Sequence, residues 1–152
     1  MSDTKSFGGR FKLGGLDAGA VARAEAALKS LSSNFDAWMA EELDKLEAAR
    51  GRLRAEGMTP EVGEALYFRA HDLKGLGATY GYPLVTRLAG SLCRVLHDPA
   101  ERLNAPAYLI EAHVDAIHAV VRKNLRDEAD ATGRALSEEL ETQVTRLRQA
   151  AA

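Results

Sequence analysis

Apolar residues recur along this chain at steps of three and four, the period of one helix face. Phe35, Met39, Leu43, Leu46, Ala49 and Leu53 form one such stripe. Leu84, Leu88, Leu92 and Val95 form a second, and Ile110, Val114, Ile117 and Val121 a third. Leu136, Leu140, Val144 and Leu147 form a fourth. No segment alternates apolar and polar residues between turn signals, as a half-buried strand would.

The punctuation agrees. An alanine-rich segment predicts a first helix from about Leu16 to Leu31. Ser32, Ser33 or Asn34 caps a second, which runs to about Glu56 and stops at Gly57. Thr59-Pro60-Glu61 opens a third: Thr59 caps, Pro60 suits the first turn, and Glu61 favours the positive end of the dipole. This helix is expected to reach Tyr80. Gly81 ends it and Pro83 starts a fourth, so short a link that an antiparallel hairpin follows. Asp98-Pro99 terminates the fourth helix, and Asn104-Ala105-Pro106 restarts the chain for a fifth. A sixth runs from about Ala131 to Gln149. Residues 1–15, with Gly8, Gly9, Gly14 and Gly15, show no periodicity and are expected to be a flexible tail. Residues 16–152 then form one all-α domain, an up-down four-helix bundle with additional N- and C-terminal helices.

Composition narrows the function. The 152 residues carry a formal net charge of −2, so the chain as a whole has no electrostatic drive toward nucleic acid. Cys93 stands alone, which excludes an internal disulfide and a thiolate-rich metal site and fits a reducing compartment. No apolar run approaches the roughly 20 residues of a membrane span, and Met1 to Lys12 lacks the apolar core of an export signal. The expectation is a soluble, cytoplasmic protein without a metal of its own.

One segment stands out, Arg69-Ala70-His71-Asp72-Leu73-Lys74-Gly75-Leu76-Gly77-Ala78-Thr79-Tyr80-Gly81. At about 100° per residue, Val62, Leu66, Ala70, Leu73, Gly77 and Tyr80 cluster on a core face. His71 falls about 140° from Leu66, toward solvent, with Glu64, Phe68, Gly75 and Ala78 on its side. Tyr67 and Lys74 flank it. A mid-helix glycine costs roughly 1 kcal/mol relative to alanine. Gly77 has a packing reason on the core face, whereas Gly75 has none. Access to the imidazole is the functional reason at Gly75. Lys74 is the natural cation for a phosphoryl group on His71. Tyr67 and Phe68 supply apolar area for a docking partner, or are covered by the N-terminal helix.

His71-Asp72-Leu73-Lys74-Gly75, followed by small residues and Gly81, resembles the H-x-L-K-G signature of histidine-containing phosphotransfer (HPt) domains. The resemblance extends from about Thr59 to Leu96, and the chain is similar to the stand-alone bacterial type. It implies a four-helix bundle in a two-component phosphorelay, a phosphoprotein whose His71 takes a phosphoryl group from a receiver-domain aspartate and passes it to another receiver. It implies no ATP-dependent kinase activity and no cofactor of its own, since the receiver brings Mg²⁺ and most catalytic groups. Positioning and charge neutralisation provide most of the catalysis in such transfers. The partners implied are response-regulator receiver domains and a hybrid histidine kinase. His71 is the phospho-acceptor, Lys74 the charge partner and Gly75 the clearance residue, with Tyr67, Phe68, Ala78, Arg87 and Arg94 on the partner-binding side.

The sequence departs from the family in one respect. Many members carry a polar or basic residue on the next helix that orients the imidazole or the phosphoryl group, and the matching position here is Cys93, a poor substitute. Thr86, Arg87, Ser91, Arg94 and His97 are the remaining candidates. Cys93 itself reads as a small near-surface residue without chemistry. Trp38 and Met39 read as core. His113 and His118, five apart, are off the four-residue spacing for a shared metal and read as structural. Glu41, Glu42, Asp44 and Lys45 form a solvated helix face. Two alternatives compete: a helical adaptor whose histidine is incidental, and the dimerisation and phosphoacceptor part of a histidine kinase. Asp72 after the histidine suits the kinase, but the chain has no room for an ATP-binding domain. A monomer is the default, because a single active histidine suffices.

Overall fold

The computed structural model describes residues 17–151. They form six helices and, among the described residues, no strand: α1 (Ala18–Glu56), α2 (Pro60–Leu76), α3 (Pro83–Leu96), α4 (Pro99–Arg102), α5 (Ala107–Arg122) and α6 (Ala131–Ala151). The expected tail over residues 1–15 lies outside the described residues. The chain divides into two compact units, residues 1–37 and 38–152.

In the first unit, Asp17 starts α1 by accepting the Ala20 N–H at 2.6 Å. The side chains from Asp17 to Ala37 are exposed or half-buried. The expected break at Ser32-Ser33-Asn34 is corrected: α1 runs through it as one helix of 39 residues. Serine and asparagine favour caps only when their side chains turn back to the backbone, and here all three face solvent.

The second unit holds the core. α1 contributes Met39, Leu43, Leu46, Ala49 and Leu53 as its stripe predicts, whereas Phe35, the first residue of that stripe, is only half-buried. α3 is the central helix, with nine of its 14 residues buried, and it packs against α2, α4, α5 and α6. Arg50 of α1 is buried and pairs with Glu47, Glu111 and Asp115. Arg54 also reaches Glu111, at 2.7 Å, so charged pairs fasten α1 to α5. Glu47 and Asp115 hold the Arg50 guanidinium protonated beyond its ordinary range.

Thr59 caps α2 as expected, accepting the Val62 N–H at 3.1 Å with Pro60 behind it. The end of α2 is corrected from Tyr80 to Leu76, and residues 77–81 form a turn. Gly81 takes a φ of +93°, which a side chain would resist. Asp98-Pro99 is more than a stop. Asp98 accepts the N–H groups of Ala100 and Glu101 and so starts the short α4, by the same grammar as Thr59-Pro60.

Candidate functional site

The outer face of α2 is set by its inner one. Val62, Leu66, Ala70 and Leu73 are fully buried, which turns His71, Lys74 and Gly75 outward to solvent. α2 and α3 run antiparallel: Gly77 meets Thr86, Lys74 meets Gly90, and Tyr67 meets His97.

The two helix glycines have opposite surroundings. A Cβ at Gly75 would meet nothing within 4 Å. A Cβ at Gly77 would stand 2.6 Å from the Thr86 backbone nitrogen. The helices touch there, and the Thr86 hydroxyl accepts the Ala78 N–H at 2.8 Å. Lys74 extends its stem past Gly90, where a Cβ would stand 3.9 Å from the lysine Cδ, an ordinary contact. Asp72 lies 3.6 Å from Arg69 on the exposed surface.

Tyr67 is the hub on the other side of His71. Its ring centroid lies 6.0 Å from those of Phe68, His71 and His97. Its hydroxyl is 3.4 Å from the His97 Nδ1. The guanidinium of buried Arg102 sits 5.0 Å from the Tyr67 ring centroid and donates to the Leu96 carbonyl at 2.8 Å. Phe68 is 53% exposed, available to a partner. Neither ring nitrogen of His71 has a hydrogen-bond partner among the described residues.

The candidates for an orienting residue separate clearly. Cys93 is buried rather than near the surface, and burial pushes its thiol up against the opposing pull of Lys74. Ser91 is buried against the His113 Nε2 at 2.8 Å. Thr86 is engaged with Ala78. Arg87 is held by Glu141 through two contacts of 2.7 Å and by Glu128 at 2.7 Å, which ties α3 to α6. Arg94 is exposed and lines a cavity of about 380 Å³ with Glu101, Asn104, Leu147 and Arg148. His97 is the one joined to the neighbourhood of His71, through Tyr67. It is one of the five sequence candidates, and its link to Tyr67, beside which Arg102 packs, crosses from one helix to the next, beyond the reach of spacing within either.

Trp38 is corrected from core to surface: it is 41% exposed, its ring 5.9 Å from that of Tyr80. Met39 beside it is buried. His113 is fully buried and bonded at both ring nitrogens. His118 lies 3.2 Å from Glu47. Among the described residues, no group of three histidine, cysteine, aspartate or glutamate side chains is placed to hold a metal, and no helix is long and apolar enough to cross a membrane.

No protein-family model matches the chain, and no curated protein or solved structure does either.

Proposed function

We propose that this chain is a histidine phosphotransfer protein of a two-component phosphorelay. His71 accepts a phosphoryl group from the aspartyl phosphate of a docked receiver domain and passes it to the aspartate of another. The observation that carries the reading is the trio on α2: an outward imidazole with no hydrogen-bond partner among the described residues, a lysine one turn on, and a glycine with open space above it.

The reaction follows from that arrangement. The neutral Nε2 of His71 attacks phosphorus in line, the bond to the aspartyl oxygen breaks, and the carboxylate leaves. The proton on Nδ1 stays on the ring. Lys74 offsets the charge of the phosphohistidine. The open surface at Gly75 lets the receiver approach, and exposed Phe68 gives it apolar area. The Mg²⁺ comes with the receiver. The fold suited to this role is an up-down bundle of the second half of α1 with α2, α3 and α5, flanked by α6. The antiparallel α2–α3 pair and the ion pairs between α1 and α5 support it. The proposed setting is the cytoplasm, where receivers reside.

The test is transfer from a phosphorylated receiver. Acid-labile, base-stable label should appear on the chain and be absent from His71→Gln. Equal label on that variant would sink the assignment, and label from ATP alone would point to a kinase fragment instead.

A further inference from the structure

Tyr67 and Gly75 stand one turn to either side of His71 on α2. Helical side chains lean toward the N-terminus of their own helix. The imidazole therefore leans over the turn of Tyr67, and a side chain at position 75 would lean over His71. Both halves of that picture are met. The Tyr67 ring lies 6.0 Å from the imidazole between centroids, tilted by 40°. A Cβ at Gly75 would meet nothing within 4 Å, so the imidazole does not lie over that turn. His71 is backed on one side and bare on the other.

Tyr67 is itself held. Arg102, at the end of α4, is 7% exposed, and its guanidinium sits 5.0 Å from the Tyr67 ring centroid. It donates to the Leu96 carbonyl at 2.8 Å and to the His97 carbonyl at 3.3 Å, groups that the end of α3 leaves open. The arginine stem crosses α2 at Gly63, one turn before Tyr67, where a Cβ would stand 2.7 Å from the Arg102 Cδ. Gly63 thus has a packing reason that Gly75 lacks. The Tyr67 hydroxyl adds only a long contact, 3.4 Å, to His97. Gly63, Tyr67 and His71 follow at steps of four, so arginine stem, tyrosine ring and imidazole lie in series along one face of α2.

We infer that Tyr67 is a positioning residue for His71. Its ring, fixed by Arg102, limits the rotamers of the imidazole and leaves the Gly75 side as the approach for the incoming phosphoryl group. A solvent-facing imidazole has several staggered rotamers open to it unless a neighbour excludes some. Neither ring nitrogen of His71 has a hydrogen-bond partner among the described residues, which leaves the tyrosine ring to do so. Each rotamer that turns Nε2 away from the receiver slows transfer. Docking area then falls to exposed Phe68 at the next position. This role rests on the phosphotransfer reading; the hold on the ring does not.

Two measurements on the full chain test it. Couplings between the His71 α and β protons, read by NMR, report whether the side chain keeps one rotamer. Single-turnover transfer from excess phosphorylated receiver reports the maximal rate and the half-saturating receiver concentration. The parent should show one rotamer, and Tyr67→Leu, which keeps apolar bulk beside Arg102, should show averaged couplings. Tyr67→Leu should lower the maximal rate about tenfold and leave the half-saturating concentration within about twofold. Tyr67→Phe should restore both readouts. Arg102→Lys, which keeps a donor for the Leu96 carbonyl and loses the flat cation beside the ring, should also average the couplings. Averaged couplings in the parent overturn the inference, as does a parent maximal rate in Tyr67→Leu. A loss confined to the half-saturating concentration would make Tyr67 a docking residue instead. Failure of Tyr67→Phe to restore the rate would move the role to the hydroxyl, and a single rotamer in Arg102→Lys would remove the arginine from it. Should the parent take no label, the phosphotransfer reading fails alone, and the couplings still decide whether Tyr67 holds the ring.

Discussion

His113 and His71 are the same side chain in opposite settings. On α5, His113 has no exposed surface. Its Nδ1–H donates to the Leu109 carbonyl at 2.7 Å, and its Nε2 accepts from the Ser91 hydroxyl at 2.8 Å. Every lone pair and proton has a use within the fold, and none is left for chemistry. On α2, His71 faces solvent with a ring neighbour in Tyr67 and no hydrogen-bond partner among the described residues. The glycines repeat the contrast. Gly77 is needed by the fold, because the Thr86 backbone occupies the space of its side chain, whereas nothing occupies that space at Gly75. One side of α2 is determined by packing, and the other is left open at some cost in helix propensity.

The sharpest break in the comparison is His71→Gln. Phosphoryl acceptance should fall to background in a receiver-transfer assay while the thermal midpoint stays within a few degrees, as suits an exposed position. A variant that loses its cooperative unfolding would put His71 in the structural class with His113. Next in size is the pair of glycines. Gly77→Ala should destabilise by about 1–3 kcal/mol, since the new methyl meets backbone that cannot swing aside. Gly75→Ala should stabilise by about 1 kcal/mol. Urea unfolding of the two variants should therefore move in opposite directions, and equal shifts would erase the distinction between the two faces. Lys74→Ala should slow transfer about tenfold, the equivalent of about 1.4 kcal/mol, at unchanged stability. Transfer at the parent rate would remove the charge-partner role.

The smallest effect concerns His113 and pH. Burial holds its imidazole below the ordinary range, so the unfolded chain binds a proton that the folded chain resists. This contribution to stability is complete above the unfolded value of about 6.5 and is lost as pH falls below it. Glu47, Asp98 and Glu141 have lowered values and act in a more acidic window. Denaturant midpoints between pH 7.5 and 5 should decline, and His113→Gln should flatten that decline.

The helical class, the α2–α3 hairpin and the outward aspect of His71, Lys74 and Gly75 were legible in the sequence, because each depends on spacing within one helix or on a cap next to it. The unbroken course of α1 through Ser32-Ser33-Asn34 was not, because a capping residue marks a helix start only when its side chain takes that bond. Nor was the Tyr67–His97–Arg102 cluster. It joins residues 30 to 35 positions apart, and the arginine is buried, against its usual habit. Arg87 shows the same limit. Its sequence position suggested a docking face, and only the fold reveals Glu141 opposite it.

The contact between Thr86 and the Gly77-Ala78 backbone also bears on the order of assembly. Its partners are only eight residues apart in sequence across the Ala78 bond, so the hairpin closes over a short loop and at little entropic cost. The Ala78 amide is held by a side chain of the next helix and lies outside the helical ladder of α2. Its hydrogen exchange therefore reports the hairpin opening rather than fraying of one helix, and slow exchange there would mean that the surface bearing His71 stays assembled until the whole unit unfolds.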